Sequence, residues 1–207
     1  SIEFSLRGNP ADRATMQKEL MNMSQEMAVD FSFQHDDMYR RMRRLICFDM
    51  DSTLIQTECI DELAKRAGVG DKVSEITARA MRGEIDFDTS FSERVALLEG
   101  LPTDALDEIQ QQLTLSAGAR TLIATLKSLG YHTVLVSGGF TYFAERIAQE
   151  LGIDEVHAND LDIEEGIVTG NVNLPIVNGE RKATLVQQVA DRMNITPAQV
   201  ICVGDGA

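Results

Sequence analysis

Apolar and polar positions change period several times along the chain, and each change predicts an element. Ile2 to Leu6 alternate, Asp12 stands where a helix cap belongs, and Met16, Leu20, Met23 and Met27 follow at spacings of three and four before Val29 to Phe33 alternate again. A compact β-α-β unit over residues 1–34 is expected, with the methionine stripe as its core face. Residues 35–44 carry Arg40, Arg41, Arg43 and Arg44 and read as a solvated linker. Leu45-Ile-Cys-Phe48 is an unbroken apolar run, the pattern of a strand buried on both faces.

From about residue 57 to 116 the period is helical, with Ile60, Leu63, Ala64 and Ala67 on one face and Val73, Ile76, Ala80 and Met81 on another. This predicts a helical cap inserted just after the first strand, where it can act as a lid. Strands and helices then alternate: helix near Ala119–Leu129, strand Thr133–Val136, helix from about Thr141 to Leu151, strand Glu155–Ala158. A hairpin around Glu165-Gly166, a helix near Ala183–Met193 and a last strand Val200–Val203 complete the series. The fold class is therefore α/β, a Rossmann-like, mostly parallel sheet flanked by helices, with core residues 45–207.

Composition narrows the partners. The formal net charge of -14 falls entirely in residues 45–207, because residues 1–44 are balanced. An acidic surface argues against nucleic acid or an anionic membrane, and no 18-residue apolar run or signal-peptide pattern occurs. Cys47, Cys59 and Cys202 lack Cys-x-x-Cys spacing, and the two in apolar runs, Cys47 and Cys202, read as reduced core thiols. A cytoplasmic setting follows as the default.

The candidate chemistry sits at strand ends. Asp49 and Asp51 follow the first strand two residues apart, so extended backbone would aim both carboxylates to one side. Parallel sheets bind ligands at that edge. Taken alone, Asp49-Met-Asp51-Ser-Thr is better explained by an ordinary capping loop. Three later stretches change the balance. Ser137-Gly138-Gly139 would place a hydroxyl and close-approach glycines at a second strand end. Lys182, just before a helix, can neutralise phosphate. Gly204-Asp205-Gly206 would bring another carboxylate to a third strand end, suiting an oxygen-ligand site for Mg²⁺.

In this order, the four motifs resemble those of the haloacid dehalogenase-like phosphohydrolases, over about residues 44–207. The cap stretch Glu58-Cys-Ile-Asp-Glu-Leu-Ala, with Met81, Gly83, Phe87 and Ser90-Phe91-x-x-Arg94, resembles the phosphoserine phosphatase family within them. That resemblance implies hydrolysis of O-phospho-L-serine through an aspartyl-phosphate, the last step of serine biosynthesis. It makes Asp49 the nucleophile, Asp51 the general acid and base, and Asp49, Asp51 and Asp205 the Mg²⁺ ligands. Ser137, Gly138 and Lys182 would hold the phosphate, Glu58 the substrate ammonium and Arg94 its carboxylate, with Met81 and Phe87 as an apolar wall. The first 34 residues resemble part of an ACT-like regulatory unit, which implies a role in regulation or in forming a homodimer. A phosphotransferase to an alcohol such as homoserine would keep the same chemistry, whereas the intact Asp49, Asp51, Lys182 and Asp205 argue against the other alternative, a non-catalytic amino-acid-sensing module with a degenerate phosphatase domain. The chain opens on Ser1 and stops inside the last motif, so the expressed protein is expected to be longer.

Overall fold

The structure is a computed structural model and describes residues 4, 12–31, 33 and 42–205. The chain forms two compact units, 1–42 and 43–207. In the first, helix α1 (Arg13–Met27) begins as the sequence predicts. The Asp12 carboxylate accepts from the N–H groups of Ala14 and Thr15, and Ala28 ends the helix in the left-handed conformation. Met16 and Leu20 are half-buried, but Met23 and Met27 are exposed, so the expected core stripe is only half formed. The strand expected at residues 2–6 lies outside the described residues apart from Phe4. Val29–Phe31 and Phe33 form no strand.

The second unit begins earlier than the linker reading placed it. Arg44 already extends the sheet, its N–H donating to the Gln199 carbonyl and its carbonyl accepting from His132. Four parallel strands follow in the order β3 (Glu155–Asn159), β2 (His132–Phe140), β1 (Leu45–Phe48) and β6 (Val200–Val203). All four residues of β1 are buried, as an apolar run between two neighbours must be. Its side chains alternate between two layers. Ile46 and Phe48 join Leu135 and helix α7 (Thr141–Leu151); Leu45 and Cys47 join Val134, Val136 and helix α8 (Gly179–Arg192). All three cysteines are free, but Cys202 is exposed on β6 while Cys59 is buried in its place. β6 pairs on one side only among the described residues.

Between β1 and helix α6 (Ala119–Ser128) lie four helices, α2 (Cys59–Arg66), α3 (Gly70–Met81), α4 (Phe87–Ala96) and α5 (Thr103–Gln112). The hairpin β4 (Leu161–Glu164) and β5 (Ile167–Val172) turns through Glu165 and Gly166, both at positive φ, as a two-residue turn requires. Gly170, at φ +81°, lets β5 approach α4: a Cβ there would stand 3.1 Å from Glu99 Cβ and 3.2 Å from the Ala96 carbonyl. Among the described residues no helix is long and apolar enough to cross a membrane.

Candidate active site

Strand order builds the site. The chain leaves β1 toward β2 and β3 on one side, and β6 lies on the other, so the carboxyl ends of β1 and β6 border a topological switch point. Phe48 is in register with Val203, and the Asp49 N–H donates to the Val203 carbonyl at 2.9 Å. Gly204 lies beside Asp49, where an added Cβ would be 3.5 Å from the Asp49 Cβ. One oxygen of Asp49 accepts from the Met50 N–H at 2.8 Å, and the other faces Lys182 Nζ at 2.5 Å. Asp49, Gly138, Lys182 and Phe87 line one cavity of about 710 Å³, together with Asn178 and Gly204.

Asp51 does not line that cavity, and it comes near Asp49 and Gly139 by a different route from the one its spacing suggests. Extended backbone stops at Met50, whose carbonyl accepts from Thr53, Leu54 and Ile55, and Ser52 takes φ +52°. This knot of turns buries the Asp51 side chain, leaving its Oδ1 without a hydrogen-bond partner. An added Cβ at Gly139 would stand 2.9 Å from Asp51 Oδ2 and 3.2 Å from Ser137 Oγ, so only glycine leaves room for the carboxylate. Burial pushes the Asp51 carboxyl up to about 7, and the negative charges of Glu58 and Asp49 add to it against hydrogen bonding from Cys59.

Ser137-Gly138-Gly139 does not follow its strand; it forms the last part of β2, where the register against β3 shifts between Val136 and Phe140. Ser137 is buried and its Oγ accepts from the Gly139 N–H at 2.9 Å. Lys182 likewise does not precede its helix. The helix α8 starts three residues earlier at Gly179, because the Asn178 side chain caps it by accepting from the Arg181 N–H.

The cap residues divide. Glu58 accepts from Ser52 Oγ at 2.6 Å, and Arg94, half-buried on α4, donates from Nε to the Ser90 carbonyl at 3.2 Å. Burial lowers the Arg94 pKa, opposed by the negative charges of Asp61 and Glu58, so Glu58 and Arg94 stand in one electrostatic neighbourhood. Phe87 reaches the cavity: a Cβ on Gly138 would lie 3.1 Å from its ring. Met81 does not; it ends α3 at 86% exposure.

The expected metal ligands are two carboxylates, Asp49 and Asp205, with the backbone carbonyl of Asp51. Among the described residues no three His, Cys, Asp or Glu side chains lie close enough to hold a metal, and Asp205 is exposed. The donor chemistry nevertheless fits a hard cation, since Asp49 and the loop carrying Asp205 leave adjacent strand ends and offer only oxygen.

Two asparagines were not singled out from the sequence. Asn159, buried at the end of β3, donates to the Gly138 carbonyl at 2.8 Å and accepts from the Val177 N–H at 2.7 Å, fixing the glycine pair. Asn178 was legible as a helix cap by the rule applied to Asp12. Asn159 gave no such signal.

The haloacid dehalogenase-like hydrolase family matches residues 43–207, the whole of the second unit. The chain belongs to that family. As a haloacid dehalogenase-like hydrolase it is 45% identical, over all 207 residues, to the phosphoserine phosphatase of Archaeoglobus fulgidus, and spans 60% of that relative's length. Its fold is similar to a haloacid dehalogenase family hydrolase of Salmonella enterica serovar Typhi, with a TM-score of 0.86 at 32% identity, covering 95% of this chain and 67% of that one. It is also similar to a substrate-bound phosphoserine phosphatase, with a TM-score of 0.74 at 36% identity, covering 79% and 78% of the two chains.

Proposed function

We propose that the protein hydrolyses O-phospho-L-serine to serine and phosphate through an aspartyl-phosphate. The observation that carries this is the pairing of a half-buried strand-end carboxylate, Asp49, against Lys182 in the cavity, beside a second carboxyl, Asp51, whose burial keeps it partly protonated near neutral pH. Similarity to phosphoserine phosphatases over the full chain supports the choice of substrate.

Asp49 attacks phosphorus in line and the serine oxygen leaves. Asp51 gives that oxygen its proton and later takes one from the water that splits the acyl phosphate, a cycle that needs a pKa near the working pH. Lys182, Ser137 and the Gly138 N–H balance charge on the phosphoryl oxygens. Glu58 pairs with the substrate ammonium and Arg94 with its carboxylate, while Phe87 closes the apolar side. Met81, exposed at the end of α3, joins Phe87 only through movement of that helix. Asp49, the Asp51 carbonyl and Asp205 would hold Mg²⁺, whose charge offsets repulsion between the attacking carboxylate and the phosphoryl dianion.

The N-terminal unit leaves Phe4, Met21 and Met27 exposed, which supports a homodimer formed through it. Three free thiols suit a reducing cytoplasm. The decisive experiment is release of phosphate from phosphoserine with Mg²⁺. Asp49→Asn should release none and form no acyl phosphate. Appreciable turnover by that variant, with deamidation excluded, would overturn the assignment. A phosphorylated alcohol in place of free phosphate would show transfer instead of hydrolysis.

A further inference from the structure

Where the cap meets the core beside the cavity, one side chain has two duties. Asn178 precedes α8, and its Oδ1 accepts from the Arg181 N–H at 2.9 Å, starting the helix that carries Lys182. Its Nδ2 donates to Asp88 Oδ1, in the first turn of α4, at 2.9 Å. Phe87, next to Asp88, is the cap residue that lines the cavity and faces Gly138. The ring ladder Phe87–Phe91–Phe140, with centroids 5.9 and 5.7 Å apart, also draws α4 toward β2. Ring contacts tolerate sliding, whereas an amide donor aimed at one carboxylate oxygen fixes where α4 stops.

We propose that Asn178 is a positioning residue that latches the cap closed, setting Phe87, on the helix that also carries Arg94, over the cavity in step with Lys182. This rests on the reading of the site given above. Asparagine is the side chain the two duties need, since it presents an acceptor to a helix N-terminus and a donor to a carboxylate at the same time. Aspartate would keep the helix cap and lose the latch.

That difference supplies the test. Asn178→Asp still accepts from Arg181 but turns a carboxylate toward Asp88. KM for phosphoserine should rise roughly tenfold, as expected for loss of a hydrogen bond to a charged group, while thermal unfolding stays near that of the unaltered protein. Amide exchange over α4 should accelerate without substrate present. The double variant Asn178→Asp/Asp88→Asn reverses donor and acceptor. It keeps the same aspartate at 178, so any recovery of KM and of α4 protection comes through the pair.

Recovery to within about threefold supports the latch. An Asn178→Asp protein with unchanged KM and α4 exchange, or a double variant no better than the single one, overturns it. If the unaltered protein released no phosphate from phosphoserine, the functional reading would fall, and α4 exchange in the two variants would still decide the latch.

Discussion

Asp51 shows how one residue's chemistry depends on its burial. Its carboxyl is raised from 3.8 to about 7 chiefly because the charged form loses its water. The folded chain therefore holds a proton that the unfolded chain releases. The stabilising contribution of that proton is complete below about pH 4 and is lost as pH rises through about 7. Compared with Asp51→Asn, which cannot titrate, the unaltered protein should lose up to about 4 kcal/mol of unfolding free energy between pH 4 and pH 8. Urea unfolding at a series of pH values measures this, and a pH-independent difference would mean that Asp51 is hydrated. Gly139 makes the same point sterically. Gly139→Ala should move the Asp51 carboxylate and reduce phosphate release by at least about tenfold with the fold intact, since misplacing a reacting group by about 1 Å is that costly. Circular dichroism alongside turnover would separate this from unfolding.

At the scale of elements, the strands and helices were largely legible because burial imposes a period on sequence. β1, α7 and β6 have the limits their patterns predict. The differences fall where backbone hydrogen bonding overrides side-chain pattern. β2 runs on through Ser137, Gly138 and Gly139 because pairing with β3 resumes at Phe140 after a register shift, although glycines usually signal a turn. α8 begins early because a side-chain cap, not an apolar residue, starts it. Asp49 and Asp51 converge through the turns around Met50 and not through strand alternation. Arg94→Ala tests the cap element directly. It should depress phosphoserine turnover by at least about tenfold more than turnover of an aryl phosphate, which has no carboxylate to hold. Equal losses on both substrates would make Arg94 structural.

At the scale of the whole second unit, one apolar cluster runs from the sheet into the cap. Phe91, buried on α4, lies between Phe140 of the sheet and Phe87 at the cavity. Phe91→Ala should destabilise the unit by about 3–5 kcal/mol through the cavity it leaves. Thermal and urea unfolding would show it; a loss below about 1 kcal/mol would mean that the cap and the sheet are energetically separate.

Sequence pattern specified the class of fold, the order of its elements and Asp49, Gly138 and Lys182 as neighbours in one cavity, because strand patterns and the motifs near strand ends are local signals that parallel-sheet topology assembles in one way, whereas Phe87 was named only through the resemblance of the cap to phosphoserine phosphatases. Tertiary structure alone decided the protonation of Asp51, the exposure of Met81 and of Asp205, and the bridging roles of Asn159 and Asn178. Burial, and partners lying far apart in the chain, belong to the packed molecule, and no spacing of residues encodes them.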